Sequence, residues 1–269
     1  MNDIKSDITF IIKQDKKPYY DSAAITGLEP KLYFKTLKKK VLIKNARKLK
    51  NCALDIQGFQ FYKHDLNYNK INITDNLNGL KKDISKFLKN IIPYKEIFIF
   101  DVTRRSNTTK GANNVDGARR PAERAHVDYT EDSAPKRALD IMGNNYYNKV
   151  LNTKRIMQLN VWFPLSAIVL SSPLAFADYR SISLNDLVAT DQHFPKRVGE
   201  IYHLAYNKKQ QWYWLPDMKN NELIILKGWD SLVKSSISRF TPHTSFNLKA
   251  QDTIKFPRES IEIRVFLVI

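Results

Sequence analysis

Two periodicities divide the chain. From Gly79 to Ile91, the residues Leu80, Ile84, Phe87, Leu88 and Ile91 fall on one stripe, with Lys81, Lys82, Asp83 and Lys86 on the other. That spacing of three and four predicts an amphipathic helix with one buried face. Elsewhere short runs with a period of two dominate. Ile8 to Ile12 and Lys31 to Phe34 read as strands about a turn at Lys16-Lys17-Pro18, and Cys52 to Tyr62, alternating around Gly58, reads as a hairpin. Glu96 to Val102 is an apolar strand. Ser106 to Pro121, with Gly111, Gly117 and paired asparagines, reads as a mobile loop of the lid type. Ala134 to Val150 has helical character, weakened at Gly143-Asn144-Asn145.

Beyond Arg155 strands take over: Ile156 to Phe163, Ile168 to Leu170, Ile201 to Tyr206, Gln211 to Leu215, Glu222 to Leu226, Ser238 to Phe240 and Ile261 to Ile269. An early helix followed by many short strands predicts a mainly β fold with supporting α-helices, a double-stranded β-helix (jelly roll, cupin-like). In such barrels inward side chains alternate along each strand, so distant segments deliver side chains to one mouth. A chain of 269 residues that is 43% hydrophobic has material for one substantial core. One domain over 1–269 is expected, with 1–95 as a supporting region and 96–269 as the jelly-roll core.

The chemistry gathers at His126-Val127-Asp128 and at Thr241-Pro242-His243. Residues two apart on a strand point to the same face, so His126 and Asp128 converge, and His243 is placed to join them from a remote strand. Two histidines and a carboxylate on one face of a metal, with other positions open, form the facial triad of non-haem Fe(II) oxygenases. The bland reading is a histidine bonded to a near neighbour. Only five histidines exist. His64 and His193 lie in polar surroundings and are expected to be solvated, while His203, in an apolar run, reads as a hydrogen-bonded core residue. Cys52 is the single cysteine, which excludes an internal disulfide and any multi-cysteine metal site.

The charge adds little to this. Lys and Arg number 44 against 27 Asp and Glu, a formal +17, spread as clusters such as Lys38-Lys39-Lys40. No aromatic stacking platform interleaves them, so a solvated basic face is expected rather than a nucleic-acid partner. No apolar run has membrane-spanning length and the first residues lack a secretory core, so no membrane partner and a cytoplasmic location are expected.

Further words of sequence extend the pattern. They are Ile43 to Arg47, Gly58-Phe59, Phe100-Asp101 with Arg104-Arg105, and Arg124-x-His126-Val127-Asp128. Asn160-Val161-Trp162-x-Pro164-Leu165, Ser172-Pro173-Leu174-Ala175, Trp212-Tyr213-x-Leu215-Pro216 and Leu226-Lys227-x-x-Asp230-Ser231 follow. The run closes on Arg239 to Thr244 and Pro257 to Arg264. In this order the chain resembles the family of cephamycin methoxylase components and fungal hydroxylase/desaturases, of the aspergillic-acid hydroxylase and gibberellin-desaturase type. The resemblance implies an Fe(II)/2-oxoglutarate-dependent oxygenase that uses O₂ to hydroxylate, desaturate or cyclise a small molecule of specialised metabolism, amino-acid- or peptide-derived molecules among them. It implies His126, Asp128 and His243 as metal ligands.

Such an enzyme also needs a cation for the cosubstrate carboxylate. Arg264 is favoured and Arg258 is second, because a planar guanidinium binds both carboxylate oxygens. On the last strand Glu262, Arg264 and Phe266 share one face, opposite Ile261, Ile263, Val265 and Leu267. Arg105, Arg124, Arg155, Lys227, Tyr129, Asn160 and Trp162 are softer candidates for substrate or support. The family pattern often has arginine where this chain has Phe163, which leaves the substrate open. Two alternatives stay open as well: a zinc-dependent hydrolase with the same ligands, and a basic nucleic-acid-binding protein with an inactive barrel.

Overall fold

The computed structural model describes residues 3–68, 76–248 and 257–269; Met1 and Asn2 of the N-terminal stretch lie outside the described residues. A five-stranded antiparallel sheet runs Phe59–Lys63, Glu222–Asp230, Ile156–Pro164, Glu259–Val268, Glu96–Ser106. A ten-stranded sheet runs Ile4–Ile11, Thr36–Asn45, Trp212–Trp214, Leu174–Ala177, His243–Ser245, His126–Val127, Arg197–Leu204, Leu187–Phe194, Tyr19–Asp21, Lys31–Leu32. From residue 96 onward the chain passes back and forth between the two sheets, which is the expected jelly roll.

Alternation along the strands gives the five-stranded sheet two different faces. Leu159, Val161, Phe163, Leu223, Ile225, Ile261, Ile263, Val265 and Leu267 lie on one, packed with Leu80, Ile84 and Leu88 of the helix Leu77–Ile91. Each of those three helix side chains is fully buried, so each contributes about 1.5–3 kcal/mol. The other face looks into the barrel. There Trp162, Ile224 and Leu226 meet Phe176 and Tyr213 of the opposite sheet and fill one end. Gln158, Asn160, Glu262 and Arg264 occupy the same face farther along, buried or nearly so and polar. That polar end holds the site.

Several expectations are corrected. Cys52 to Tyr62 is not a hairpin: only Phe59–Lys63 is a strand, paired with Glu222–Asp230, and a turn precedes it. Gly58 has φ +90°, and a Cβ there would lie 2.5 Å from Thr241 Oγ1. Its alternation therefore marks a close approach to another chain segment. Ser238 to Phe240 is not a strand, and Ile168 to Leu170 supplies only an isolated bridge from Ile168 to Lys219. Ser106 to Pro121, read as a loop, has regular structure within it. It carries a hairpin, Ala112–Asn114 with Gly117–Arg119, tied to the neighbouring strand by Asn114, whose side chain accepts from Arg104 N and donates to Arg104 O. Ala134 to Val150 is helical as expected, and the weakness at Gly143 is a break between two helices, Ser133–Met142 and Asn144–Leu151, with φ +79° at Gly143. The strands Thr36–Asn45 and Leu187–Phe194 were not anticipated; the latter forms a hairpin with Arg197–Leu204, where the strand expected at Ile201 to Tyr206 starts earlier and ends at Leu204. Among the described residues no helix is long and apolar enough to cross a membrane.

The helix Leu77–Ile91 covers the face of the sheet opposite the polar end. Ile84→Ala is therefore expected to cost about 2–5 kcal/mol of stability while leaving metal binding at the barrel mouth intact. Chemical denaturation and metal titration of the variant check both; a cost under about 0.5 kcal/mol, the range of surface substitutions, contradicts the packing described.

Candidate metal centre

His126 and His243 are direct partners across two short antiparallel strands, and Asp128 follows on the same face as His126. The imidazole centroids are 4.5 Å apart, and one ligand atom from each of the three residues lies within 4.8 Å of the others. The structure brings together the three residues singled out from sequence.

Backbone carbonyls set the imidazole tautomers. Arg124 O lies 2.7 Å from His126 Nδ1, and Thr241 O lies 3.0 Å from His243 Nδ1. A carbonyl only accepts, so each Nδ1 carries the proton and each Nε2 keeps a free lone pair. Burial, reinforced by the neighbouring His126, lowers the His243 pKa to about 4, so its ring is neutral at ordinary pH, the form that can bind a metal. Burial pushes the Asp128 carboxyl up, but Arg264 foremost, then His126 and His243, hold it well below the usual carboxylate range.

One Asp128 oxygen is held and the other is free for a metal. Asn160 Nδ2 donates to Oδ2, and Arg264 Nε donates to the same oxygen at 3.2 Å. Oδ1 lies 3.5 Å from His126 Nε2. Gln158 Nε2 donates to Asn160 Oδ1 at 2.8 Å, which turns the Asn160 amide nitrogen toward Asp128. Gly228 makes room for this, since a Cβ there would sit 1.6 Å from Gln158 Oε1. Such supporting bonds orient ligands and tune affinity.

Arg264 is occupied by acids. Besides Asp128 it pairs with Asp101 at 2.6 Å and with Glu262. Arg258 differs. It is 2% exposed, Nη1 donates to Ser172 O at 2.8 Å, and Nε and Nη2 have no partner among the described residues. Its guanidinium lies over the Trp162 ring at 5.6 Å. Burial, then the proximity of Arg105, lowers its pKa to about 9, which leaves it charged at neutral pH. Ser260, two residues on, is buried with an unpartnered Oγ. Buried donors without acceptors are costly, and this set matches a carboxylate. Sequence reading missed Ser260, Gln158 and Gly228; the alternation through Arg258, Ser260, Glu262 and Arg264 was the available signal for the first.

A second ion network holds the segment before His243. Lys227 Nζ, fully buried, contacts Asp55 at 2.7 Å, Asp230 at 2.8 Å and Ser238 O at 2.9 Å, and Arg155 joins both acids. Lys227 and Arg155 are thus structural and lie outside the cavity. Phe163 belongs to the helix-facing core, so the departure from the family pattern falls on the far side of the sheet. His64 is corrected: it is buried, with its ring 5.5 Å from that of Phe163. His193 is partly exposed, stacked on Tyr19 and 3.3 Å from Asp21. His203 is a core residue as expected, but its Nδ1 has no partner among the described residues, and its ring forms part of the wall of a cavity of about 860 Å³ beside the triad. Asn160→Ala is expected to weaken divalent-metal binding about 10–100-fold, with Gly228→Ala in the same direction through displaced Gln158. Titration with Co(II), read by its visible absorption, checks both; unchanged affinity contradicts the role given to Asn160.

A profile of the family described as oxidoreductase/YMDC permease-like domain matches residues 8–268. The Fe(II)/2-oxoglutarate-dependent dioxygenase nvfI of Aspergillus novofumigatus is 30% identical over 164 residues, 60% of this chain and 56% of that protein. The hydroxylase/desaturase asaB of Aspergillus flavus is 33% identical over 119 residues, 39% of this chain and 52% of that protein. The match thus spans about half the length of these relatives. The alpha-ketoglutarate-dependent dioxygenase tstK of Talaromyces stipitatus is 25% identical over 229 residues, 80% of this chain and 79% of that protein. In fold, the iron and alpha-ketoglutarate-dependent endoperoxidase NvfI superposes with a TM-score of 0.83 at 23% identity, over 99% of this chain and 98% of that one. With nearly its whole length matched by the profile, the chain belongs to the oxidoreductase/YMDC permease-like domain family, among relatives that include fungal Fe(II)/2-oxoglutarate-dependent dioxygenases and hydroxylase/desaturases.

Proposed function

We propose that the chain is a single oxygenase domain that binds Fe(II) through His126, Asp128 and His243 and 2-oxoglutarate through Arg258 and Ser260. Its substrate is a small molecule of specialised metabolism, hydroxylated, desaturated or cyclised at a C–H bond. The observation that carries this reading is the pairing of two half-sites. Three ligand atoms converge with their lone pairs unspent, and buried donors on Arg258 and Ser260 wait for an acceptor on the last strand. The relatives' names agree with it.

When bound, iron with a 2-oxo acid and O₂ supplies an oxidant able to abstract hydrogen from an unactivated C–H bond. The protein's contribution is to hold and to exclude. Arg264 and Asn160 keep Asp128 ionised and turned, and the two carbonyls keep both Nε2 atoms open. Arg258 offers two donors to a carboxylate in a place that water does not reach, where a charge-assisted pair is strong. Arg264, already surrounded by Asp101, Asp128 and Glu262, has no free fork for a dicarboxylate. The anchor is therefore assigned to Arg258, and Arg264 becomes the organiser of Asp128.

Anaerobic addition of Fe(II) and then 2-oxoglutarate is expected to produce the visible charge-transfer band of the chelate. Asp128→Ala should abolish it; a band of full intensity in that variant removes Asp128 from the coordination sphere. Arg258→Gln should retain iron but raise the apparent constant for 2-oxoglutarate more than about a hundredfold, the equivalent of losing one partner of a buried pair at about 3–5 kcal/mol. Arg258→Lys should recover part of the loss, keeping charge without the fork. Arg264→Gln should instead lose iron, because Asp128 loses its counter-charge. Normal 2-oxoglutarate binding in Arg258→Gln, with loss confined to Arg264→Gln at full iron content, reverses the two roles.

A further inference from the structure

Of the carboxylates lining the cavity beside the triad, Asp101 pairs with Arg264, Glu29 with Arg120, Asp116 with Arg119, and both Asp191 and Glu200 with Lys17, while Glu123, Asp132 and Asp140 form no ion pair among the described residues. Several arginines of the wall also face no carboxylate: Arg137 and Arg197 lie over the rings of Phe100 and Phe194, and Arg124 and Arg105 differ from them in their surroundings. Arg124 stands two residues before His126 on the same extended stretch, so its side chain enters the cavity beside that ligand. It forms no ion pair among the described residues, its Nε is buried without a partner, and its guanidinium lies 5.6 Å over the ring of the buried Tyr20. Arg105 lines the cavity from the strand Glu96–Ser106. One of its nitrogens donates to Arg120 O at 2.8 Å, and it too forms no ion pair among the described residues.

A desolvated cation without a counter-charge is destabilising. Their contacts within the protein, Arg105 with the Arg120 carbonyl and Arg124 with the Tyr20 ring, supply no counter-charge. The structural arginines of this chain, Arg47, Arg155 and Arg264, each face a carboxylate directly. His203, across the strand pair from His126, adds a buried imidazole with an unspent Nδ1 to the same wall. A cavity of about 860 Å³ is in the range that holds a small ligand.

We propose that the cavity takes an acidic small molecule, whose carboxylate or phosphate is held by Arg124 with Arg105 close to His126. The inference rests on the oxygenase reading for what happens to that molecule, but the anion subsite stands on Arg124 and Arg105. Arg258 lies just before the last strand and outside this wall; Arg105 faces Ser260 across the strand pair and so borders both sites, which leaves Arg124 as the residue proper to the anion subsite. An anion on Arg124 is thereby fixed next to the metal ligands, so oxidation falls near the acidic group and not at a remote end of the substrate.

The test compares matched probes: benzoate, benzamide and phenyl phosphate, each titrated anaerobically into protein holding Fe(II) and 2-oxoglutarate. Binding is read by calorimetry, and retention of the chelate band shows that 2-oxoglutarate has not been displaced. Either anion is expected to bind at least about tenfold more tightly than the amide, as a charge-assisted contact requires. The better of the two anions identifies carboxylate or phosphate as the source. In Arg124→Gln that preference should fall to about twofold or less, with Arg124→Lys intermediate. The proposal is overturned if benzamide binds as well as both anions, if Arg124→Gln keeps the preference, or if the anions bind only by removing the band. Should wild-type protein form no band at all, the oxygenase reading fails; the same titration on metal-free protein then decides the anion subsite separately.

Discussion

Everything at the barrel mouth depends on how one carboxylate is shared. Asp128 Oδ2 is taken by Arg264 and Asn160, which leaves Oδ1 beside the two imidazoles. Burial alone would drive Asp128 toward its neutral form. The guanidinium on the last strand reverses that, and it is itself held in place by Asp101 and Glu262. Glu262 bears the opposite strain, with burial raising its pKa despite Arg264. The site is thus a small buried network in which one guanidinium is shared by three carboxylates, Asp101, Asp128 and Glu262.

The rest of the fold can be understood as delivering the second imidazole to that network. The segment from Ser238 to Pro242, just before the strand His243–Ser245, has no ladder of its own, so its position comes from contacts with other parts of the chain. Lys227 holds Ser238 O, Arg239 donates to Asp230 O and pairs with Glu131, and Thr241 Oγ1 donates to Gly58 O. Gly58 is needed because any side chain there would meet Thr241 and the Phe240 carbonyl. Buried ion clusters of this kind are weak devices for stability but define geometry well. Here the Lys227, Arg155, Asp55 and Asp230 cluster helps to place His243.

Much of this was legible in the sequence where local pattern and tertiary role coincide. The helix over 77–91 and the two faces of the strand over 259–268 follow directly from periodicity, and the packing agrees residue by residue. His126 and Asp128 were recognisable because alternation on a strand turns both side chains to one face, whereas His243, on a remote strand, was singled out by the scarcity of histidines and the family resemblance around it. The failures lie where alternation has another cause. Around Gly58 it reflects a close approach of two segments; at Ser238 to Phe240 it reflects side chains bonded to distant partners. His64 looked solvated because its sequence neighbours are polar, yet it packs beside Phe163. Arg264 and Arg258 could not be ranked from spacing. Their difference is which nitrogens already have partners, and those partners come from residues 101, 128 and 172, far away in the chain.

A crystal structure grown anaerobically with Mn(II) and 2-oxoglutarate, with the ion located by its anomalous scattering, tests the central assignment most directly. One ion bound by His126 Nε2, Asp128 Oδ1 and His243 Nε2, with the free carboxylate of the cosubstrate on Arg258, is the expected result. An ion bound without Asp128, or a cosubstrate carboxylate seated on Arg264 in place of its acids, would contradict it.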